Sequence, residues 1–272
     1  MESYNIVKKL GQGGFGKIYL AEKSDKKVVL KVYREKVDWE NIEKSLEIAM
    51  KIQHPNLILC HTFFHDRIVT ENNRLSGKST VHLVSVLEYF ESETLYPAYV
   101  NSKKTFGFFL TQIIDAMKYL HGRNIIHGDI KPENILVGND LVKLIDYDFL
   151  SYENKIKKTR MGTPLFSSPE LYKIFQRKNQ DGSLSTHKTK YSKKDYTCKM
   201  DLWSLGVTIF FCLTGKYPFI AENKESLRDI ILSGYQPDYS ILPDRYGQII
   251  SGLLKLDPEE RITLSQVKQI LG

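Results

Sequence analysis

The sequence predicts an α+β fold in two parts: a small antiparallel β-sheet carrying one main helix, then a mainly α-helical region. Three observations predict it. From Ile6 to Phe90 short β-favouring runs alternate with turns. One stretch there carries apolar residues at three- and four-residue spacing, and after Phe90 the apolar pattern becomes helical. With 272 residues, 42% hydrophobic and 26% charged, the chain has the composition of one large globular domain or two packed lobes.

In the first part Lys17–Leu20 and Val28–Val32 read as strands. The helix runs from about Trp39 to Ile52, where Ile42, Leu46, Ala49 and Ile52 form one stripe and His54-Pro55-Asn56 stops it. The segment Asp66 to Thr80 is polar and turn-rich, a surface hairpin between two strands. In the second part Phe106–His121, Leu202–Leu213 and Tyr246–Leu256 have helical periodicity. Between the first two lie the β-runs Ile135–Val137 and Val142–Ile145, joined by the hairpin signal Gly138-Asn139-Asp140.

The longest apolar stretch, Leu205 to Leu213, is too short to span a bilayer, and Met1-Glu2-Ser3-Tyr4 lacks the layout of a secretory signal. A soluble cytoplasmic protein without a membrane partner is the expectation. Cys60, Cys198 and Cys212 are odd in number and widely spaced, which argues for reduced thiols with no disulfide partner and no zinc site. The net charge is +7, yet 173–194 alone holds seven Lys/Arg against one Asp, leaving about +1 elsewhere. Basicity is therefore a property of one insertion. It is read either as a solvated segment or as a recruiter of an acidic protein partner or nucleic acid.

Chemistry concentrates in three places. Gly11-Gln12-Gly13-Gly14-Phe15-Gly16 has the G-x-G-x-x-G pattern of a loop whose backbone N–H groups approach phosphate, and the β-like Lys17–Leu20 after it favours a hairpin lid over a dinucleotide-type helix. Fifteen residues on, Lys31 ends the strand Val28-Val29-Leu30-Lys31. The most specific segment is His127-Gly128-Asp129-Ile130-Lys131-Pro132-Glu133-Asn134, followed after twelve residues by Asp146 in Asp146-Tyr147-Asp148.

Together these resemble the eukaryotic-type protein kinase superfamily, serine/threonine branch, with motifs in the family's order from Tyr4 to Leu271. The resemblance implies a bilobal protein-kinase-like fold as a single domain, 1–90 forming the N-lobe and 91–272 the C-lobe. It implies ATP and Mg²⁺ as cofactors and a protein substrate phosphorylated on Ser/Thr. Asp129 would take or orient the hydroxyl proton, and Lys131 would neutralise charge on the transferred group. Asn134 and Asp146 would ligate Mg²⁺, and Lys31 would hold the α- and β-phosphates. Gly11, Gly13, Gly14, Gly16, Ile18, Val29, Leu87, Glu88, Phe90 and Leu136 fall at nucleotide-contacting positions. Glu93 is either a ribose contact or a solvated loop acid. Thr163 would bridge Asp129 and Lys131, Asp201 would anchor the catalytic loop, and Arg261 would pair with Glu170.

The chain also departs from the family pattern. Ser45 stands where the helix glutamate that pairs with Lys31 belongs, and Glu43 and Glu47 lie to either side, both read as solvated. Lys31 is then left to Asp146, or to Glu47 after rearrangement. Gly128 replaces the arginine that senses an activation-loop phosphate, so activity without Thr159 phosphorylation is expected. Asp148 replaces the glycine of D-F-G, and an alternative register makes Asp148-Phe149 the metal-binding pair. These departures motivate a rival reading, a pseudokinase or scaffold with little phosphotransfer.

Overall fold

The computed structural model describes residues 4–67, 81–102, 105–155, 162–174 and 196–272. The turn predicted between Asp66 and Thr80, the site Thr159 and nearly all of the basic insertion lie outside the described residues. The chain divides into two compact units, Met1–Glu91 and Ser92–Gly272.

Unit 1 is an antiparallel five-stranded sheet in the order β1-β2-β3-β5-β4, from β1 (Asn5–Gln12), β2 (Gly16–Lys23), β3 (Lys26–Tyr33), β4 (Cys60–Arg67) and β5 (Val81–Glu88). Ser24 and Asp25, both at positive φ, close the β2–β3 turn, the conformation that matches strand twist in a two-residue hairpin. One sheet face buries Ala21, Leu30, Val32, Val84 and Val86 as a core. Helix α1 (Trp39–Ala49) starts on Asp38, whose carboxylate accepts the Asn41 N–H. Ile42, Leu46 and Ala49 are buried as the periodicity predicts. Ile52 is buried too, but beyond the helix, which ends three residues earlier than expected.

Among its described residues unit 2 holds the strands and α-helices β6 (Glu93–Thr94), α2 (Leu95–Asn101), α3 (Phe106–His121), β7 (Ile125–Ile126), β8 (Ile135–Gly138), β9 (Leu141–Leu144), β10 (Ser151–Tyr152), α4 (Pro169–Ile174), α5 (Lys199–Thr214), α6 (Lys224–Leu232), α7 (Asp244–Leu253) and α8 (Leu264–Leu271). The expected β8–β9 hairpin forms, with Asn139 and Asp140 at φ 50° and 62°. Helix α3 buries Phe109, Leu110, Ile113, Ile114, Met117 and Leu120. Helix α5 is buried on nearly every side, the pattern of a helix in the middle of a core. It approaches the end of α7 closely: a Cβ on Gly206 would sit 2.9 Å from Leu254 Cδ2 and 3.0 Å from Leu253 Cβ. Gly215, at φ 68°, terminates α5. Among the described residues no helix is long and apolar enough to cross a membrane.

Candidate active site

The catalytic loop follows β7 and ends in a 3₁₀ turn, Pro132–Asn134. That turn returns Asn134 toward Asp129, which is 4% exposed. The Asn134 Nδ2 donates to Asp129 Oδ2 at 2.8 Å and to its carbonyl oxygen at 2.9 Å. Lys131 Nζ donates to the same Oδ2 at 2.6 Å. The other carboxylate oxygen, Oδ1, accepts the Thr163 N–H at 2.9 Å and the Thr163 hydroxyl at 3.0 Å. Lys131 Nζ also donates to Thr163 Oγ1 at 2.7 Å, closing a ring of Asp129, Lys131 and Thr163. A carboxylate with this many charge-assisted bonds is fixed in one rotamer, which is preorganisation in the literal sense.

The loop backbone is held by Asp201 near the start of α5. Its Oδ1 accepts the Gly128 N–H at 2.9 Å; its Oδ2 accepts the His127 N–H at 2.8 Å and bonds His121 Nε2 at 2.9 Å. Burial opposes charge on Asp201, but the His121 ring, His127 and the Gly128 N–H outweigh it and hold this carboxyl below its ordinary range. Gly128 sits at φ 83°, a region that costs any side chain-bearing residue, and glycine meets the requirement without strain. Further out, Arg261 makes a buried fork to Glu170 at 2.7 and 2.6 Å, and also donates to the carbonyls of Lys199 and Lys255.

After β9 the chain reaches Asp146, at φ 68°. A non-glycine residue held there marks local strain that the surroundings must over-determine, a frequent property of functional sites. His127 Nε2 lies 3.1 Å from the carbonyl of Ile145, and the Ile145 N–H donates to the Asn134 carbonyl at 2.9 Å, tying this strand end to the catalytic loop. Tyr147 is buried edge-on to His127, with centroids 6.3 Å apart. Asp146 is partly exposed, whereas Asp148 is 4% exposed.

In unit 1, cross-strand pairing places Ile18 opposite Lys31, and Val29 opposite Leu87, on one face of the sheet. Lys31 is buried with its Nζ 5.3 Å from the Tyr33 ring centroid. The Gly11–Gly16 loop is the β1–β2 connection, closed by Gly13 N–H to Gly16 O at 2.9 Å. Its glycines differ in kind. A Cβ at Gly16 would collide with the Val32 carbonyl, so that glycine is demanded by the sheet itself. Gly11, Gly13 and Gly14 have negative φ, and a Cβ there would meet no atom within 4 Å. Glu88 is spent within the unit, its carboxylate accepting the Leu59 N–H at 3.1 Å. In unit 2, Glu93 pairs with Val137 and Thr94 with Leu136 between β6 and β8.

A family model for the protein kinase domain matches residues 4–270 of the chain. The chain belongs to the protein kinase domain family. It is 32% identical to an Aurora kinase of Eremothecium gossypii over 99% of its own length and 68% of that protein. It is 31% identical to an Aurora kinase of Saccharomyces cerevisiae, over 98% and 68%. A probable serine/threonine-protein kinase, fhkA, of Dictyostelium discoideum is 27% identical, and there the chain spans only 49% of the relative.

Within this kinase domain the departures from the family pattern have structural answers. Ser45, in the glutamate's place, is fully buried and its hydroxyl donates to the Asn41 carbonyl. Glu47 is exposed, as expected. Glu43 is not simply solvated: its carboxylate lies 3.0 Å from His65 Nε2 on β4, and Trp39 packs 5.6 Å from the same ring. Two residues that sequence reasoning passed over emerge here, His65 and His121. Each sits at the end of an ordinary apolar pattern, with no local signal of the acid it meets in the fold.

The residues fit the family's cofactors. The empty space above Gly11, Gly13 and Gly14 is a cradle that side chains would fill, as close approach of phosphate oxygens requires. The Asn134 amide oxygen and the Asp146 carboxylate are hard oxygen donors of the kind Mg²⁺ selects, and that ion is ordinarily held by one or two protein groups plus substrate phosphates. All three cysteines are free thiols.

Proposed function

We propose that this kinase domain transfers the γ-phosphoryl group of ATP to serine or threonine hydroxyls of protein substrates. The observation that carries the reading is the closed hydrogen-bonded ring of Asp129, Lys131 and Thr163, with Asn134 bonded to the same carboxylate. ATP supplies an electrophilic phosphorus, and bound Mg²⁺ would partly neutralise the negative charge on the surrounding phosphate oxygens. Asp129 orients the substrate hydroxyl and receives its proton as the new oxygen–phosphorus bond forms and the bond to the leaving diphosphate breaks. Lys131, a cation fixed by two short hydrogen bonds, stabilises charge on the transferred group. Thr163 holds that cation and the base in register.

Asn134 and Asp146 hold the metal. The Asn134 amide is oriented by its two bonds to Asp129, which commits its nitrogen and leaves its oxygen for the ion. The partial exposure of Asp146 against the burial of Asp148 supports Asp146 as the metal-facing member. In unit 1 the Gly11–Gly16 loop and Lys31 hold phosphates, while Ile18, Val29, Leu87 and the backbone at Glu88 and Phe90 hold adenine. In unit 2, Leu136 and Glu93, on β8 and β6, are the proposed adenine and ribose contacts of that unit. The chain spans about two thirds of the Aurora kinase of Eremothecium gossypii and about half of fhkA.

The test is transfer of labelled γ-phosphate to a generic basic protein, followed by phosphoamino-acid analysis. Mg²⁺-dependent label on serine or threonine is expected. Tight ATP binding with no transfer in the presence of Mg²⁺ would instead establish a nucleotide-binding scaffold.

A further inference from the structure

Unit 2 contains a cleft of about 400 Å³ formed by residues that the phosphotransfer mechanism does not use, at the C-terminal end of α3 and the N-terminal ends of α5 and α8. Its charged groups are unequally compensated. Lys199 Nζ lies 3.4 Å from Glu259 and donates to the Pro258 carbonyl, so these two charges offset each other. The Glu153 carboxylate accepts the Cys198 N–H at 2.7 Å at the start of α5, a favourable place for negative charge. The Lys118 ammonium, at an exposed position, has no hydrogen bond or ion pair among the described residues. One helical turn further, at the neighbouring i+3 position, stands His121.

His121 links the cleft to the catalytic loop. Its Nε2 faces Asp201 Oδ2 at 2.9 Å and so carries the proton, since a carboxylate only accepts. Its Nδ1 has no partner among the described residues. An oxyanion bonded to both Lys118 Nζ and His121 Nδ1 accepts a hydrogen bond from each, so that the ring donates through Nδ1 to the ligand and through Nε2 to Asp201. The ring thereby bridges the ligand to Asp201, the carboxylate that holds the His127 and Gly128 N–H groups. The other titratable groups sharing the cleft are Glu153, Cys198, Lys199 and Glu259, and the two acids are engaged as described.

We propose that this cleft is a regulatory site for a small phosphate monoester, held through its oxyanion by Lys118 and His121 and coupled through Asp201 to the catalytic loop. The volume exceeds a bare phosphate and falls in the range of small-ligand pockets. Leu202 and Leu264 give the rest of the ester an apolar wall. The binding claim stands apart from the proposed phosphotransfer; only the effect on rate rests on it.

The experiment follows the His121 ring resonance by NMR during titration with phenyl phosphate and, separately, with inorganic sulfate, which does not itself titrate between pH 6 and 8. Ionic strength is held constant with chloride. Saturable shifts are expected with both, phenyl phosphate binding more tightly. Lys118→Gln, a change at an exposed position, should weaken both by about tenfold or more and leave basal phosphotransfer unchanged. Equal shifts in Lys118→Gln would mean an adventitious ion only, and binding of the ester without any shift of the His121 resonance would overturn the role of His121. Equal affinity for the two probes would overturn the ester assignment. If phosphotransfer itself fails while the resonance still shifts, the binding site stands and the coupling falls.

Discussion

Replacing Thr163 by valine removes one hydroxyl and little volume, so it isolates the ring around Asp129. Two hydrogen bonds vanish: Oγ1 to Asp129 Oδ1 at 3.0 Å and Lys131 Nζ to Oγ1 at 2.7 Å. The Thr163 N–H bond to Oδ1, at 2.9 Å, is a backbone contact and survives. Hydrogen bonds to charged groups contribute about 1.5–3 kcal/mol each. Lys131 keeps its 2.6 Å bond to Asp129, and its side chain is 19% exposed, so water replaces part of what it loses. The net cost is therefore about 1.5–3 kcal/mol for the pair of bonds. Since each 1.36 kcal/mol is tenfold in rate, kcat should fall about 10- to 150-fold, with little change in KM for ATP. Steady-state phosphotransfer on a generic substrate measures it, with Thr163→Ser as the control that restores the hydroxyl and should recover rate to within about threefold. An unchanged kcat in Thr163→Val, or an equal loss in Thr163→Ser, would refute the reasoning.

The two kinds of glycine in the β1–β2 loop should separate. Gly16→Ala drives a Cβ into the Val32 carbonyl and should cost about 1–3 kcal/mol in thermal or urea unfolding. Gly14→Ala, which meets no atom within 4 Å, should leave stability within about 0.5 kcal/mol while weakening ATP affinity by calorimetry. Arg261→Met strands the buried Glu170 carboxylate and should destabilise by about 3–5 kcal/mol in chemical denaturation, and the second change Glu170→Leu should recover much of that loss. Burial pushes the Cys60 thiol up to about 12 and raises Cys198 and Cys212 as well. A thiol raised on folding stabilises fully below its unfolded value near about 8.5, and loses that contribution as pH rises toward the folded value. Urea midpoints should accordingly fall between pH 8 and pH 10, and Cys60→Ala should flatten the decline. Asp201 runs the other way: its lowered carboxyl stabilises above its unfolded value of 3.8 and loses this as pH falls further, so acid unfolding should be shallower in Asp201→Asn.

Most of the architecture was legible because periodicity survives in a single sequence. Phe106–His121 is helical over its predicted span, and Gly138-Asn139-Asp140 makes the hairpin its residues require. The grouping of Asp129, Lys131 and Asn134 was legible for a different reason, since a short turn within their own segment brings the three together. What escaped was pairing at long range. His121 meets Asp201 eighty positions away, and an apolar helix ending in histidine carries no sign of that partner. Glu43 reads as a surface acid on α1 until β4 brings His65 to it. The positive φ of Asp146 is likewise a property of how the strand end is held, and nothing in Ile145-Asp146-Tyr147 announces it.

The central claim is that Asp129 does the chemistry while other residues hold the nucleotide. Asp129→Asn tests it directly, because an amide of the same shape can still fill the site among Lys131, Asn134 and Thr163 but cannot receive the hydroxyl proton. Single-turnover phosphotransfer and ATP binding should be measured on the same preparation, with circular dichroism to establish folding. Transfer should fall about a hundredfold or more, the scale of general-base contributions, with ATP affinity within about threefold of the parent. Transfer at the parent rate in a folded Asp129→Asn protein would contradict it.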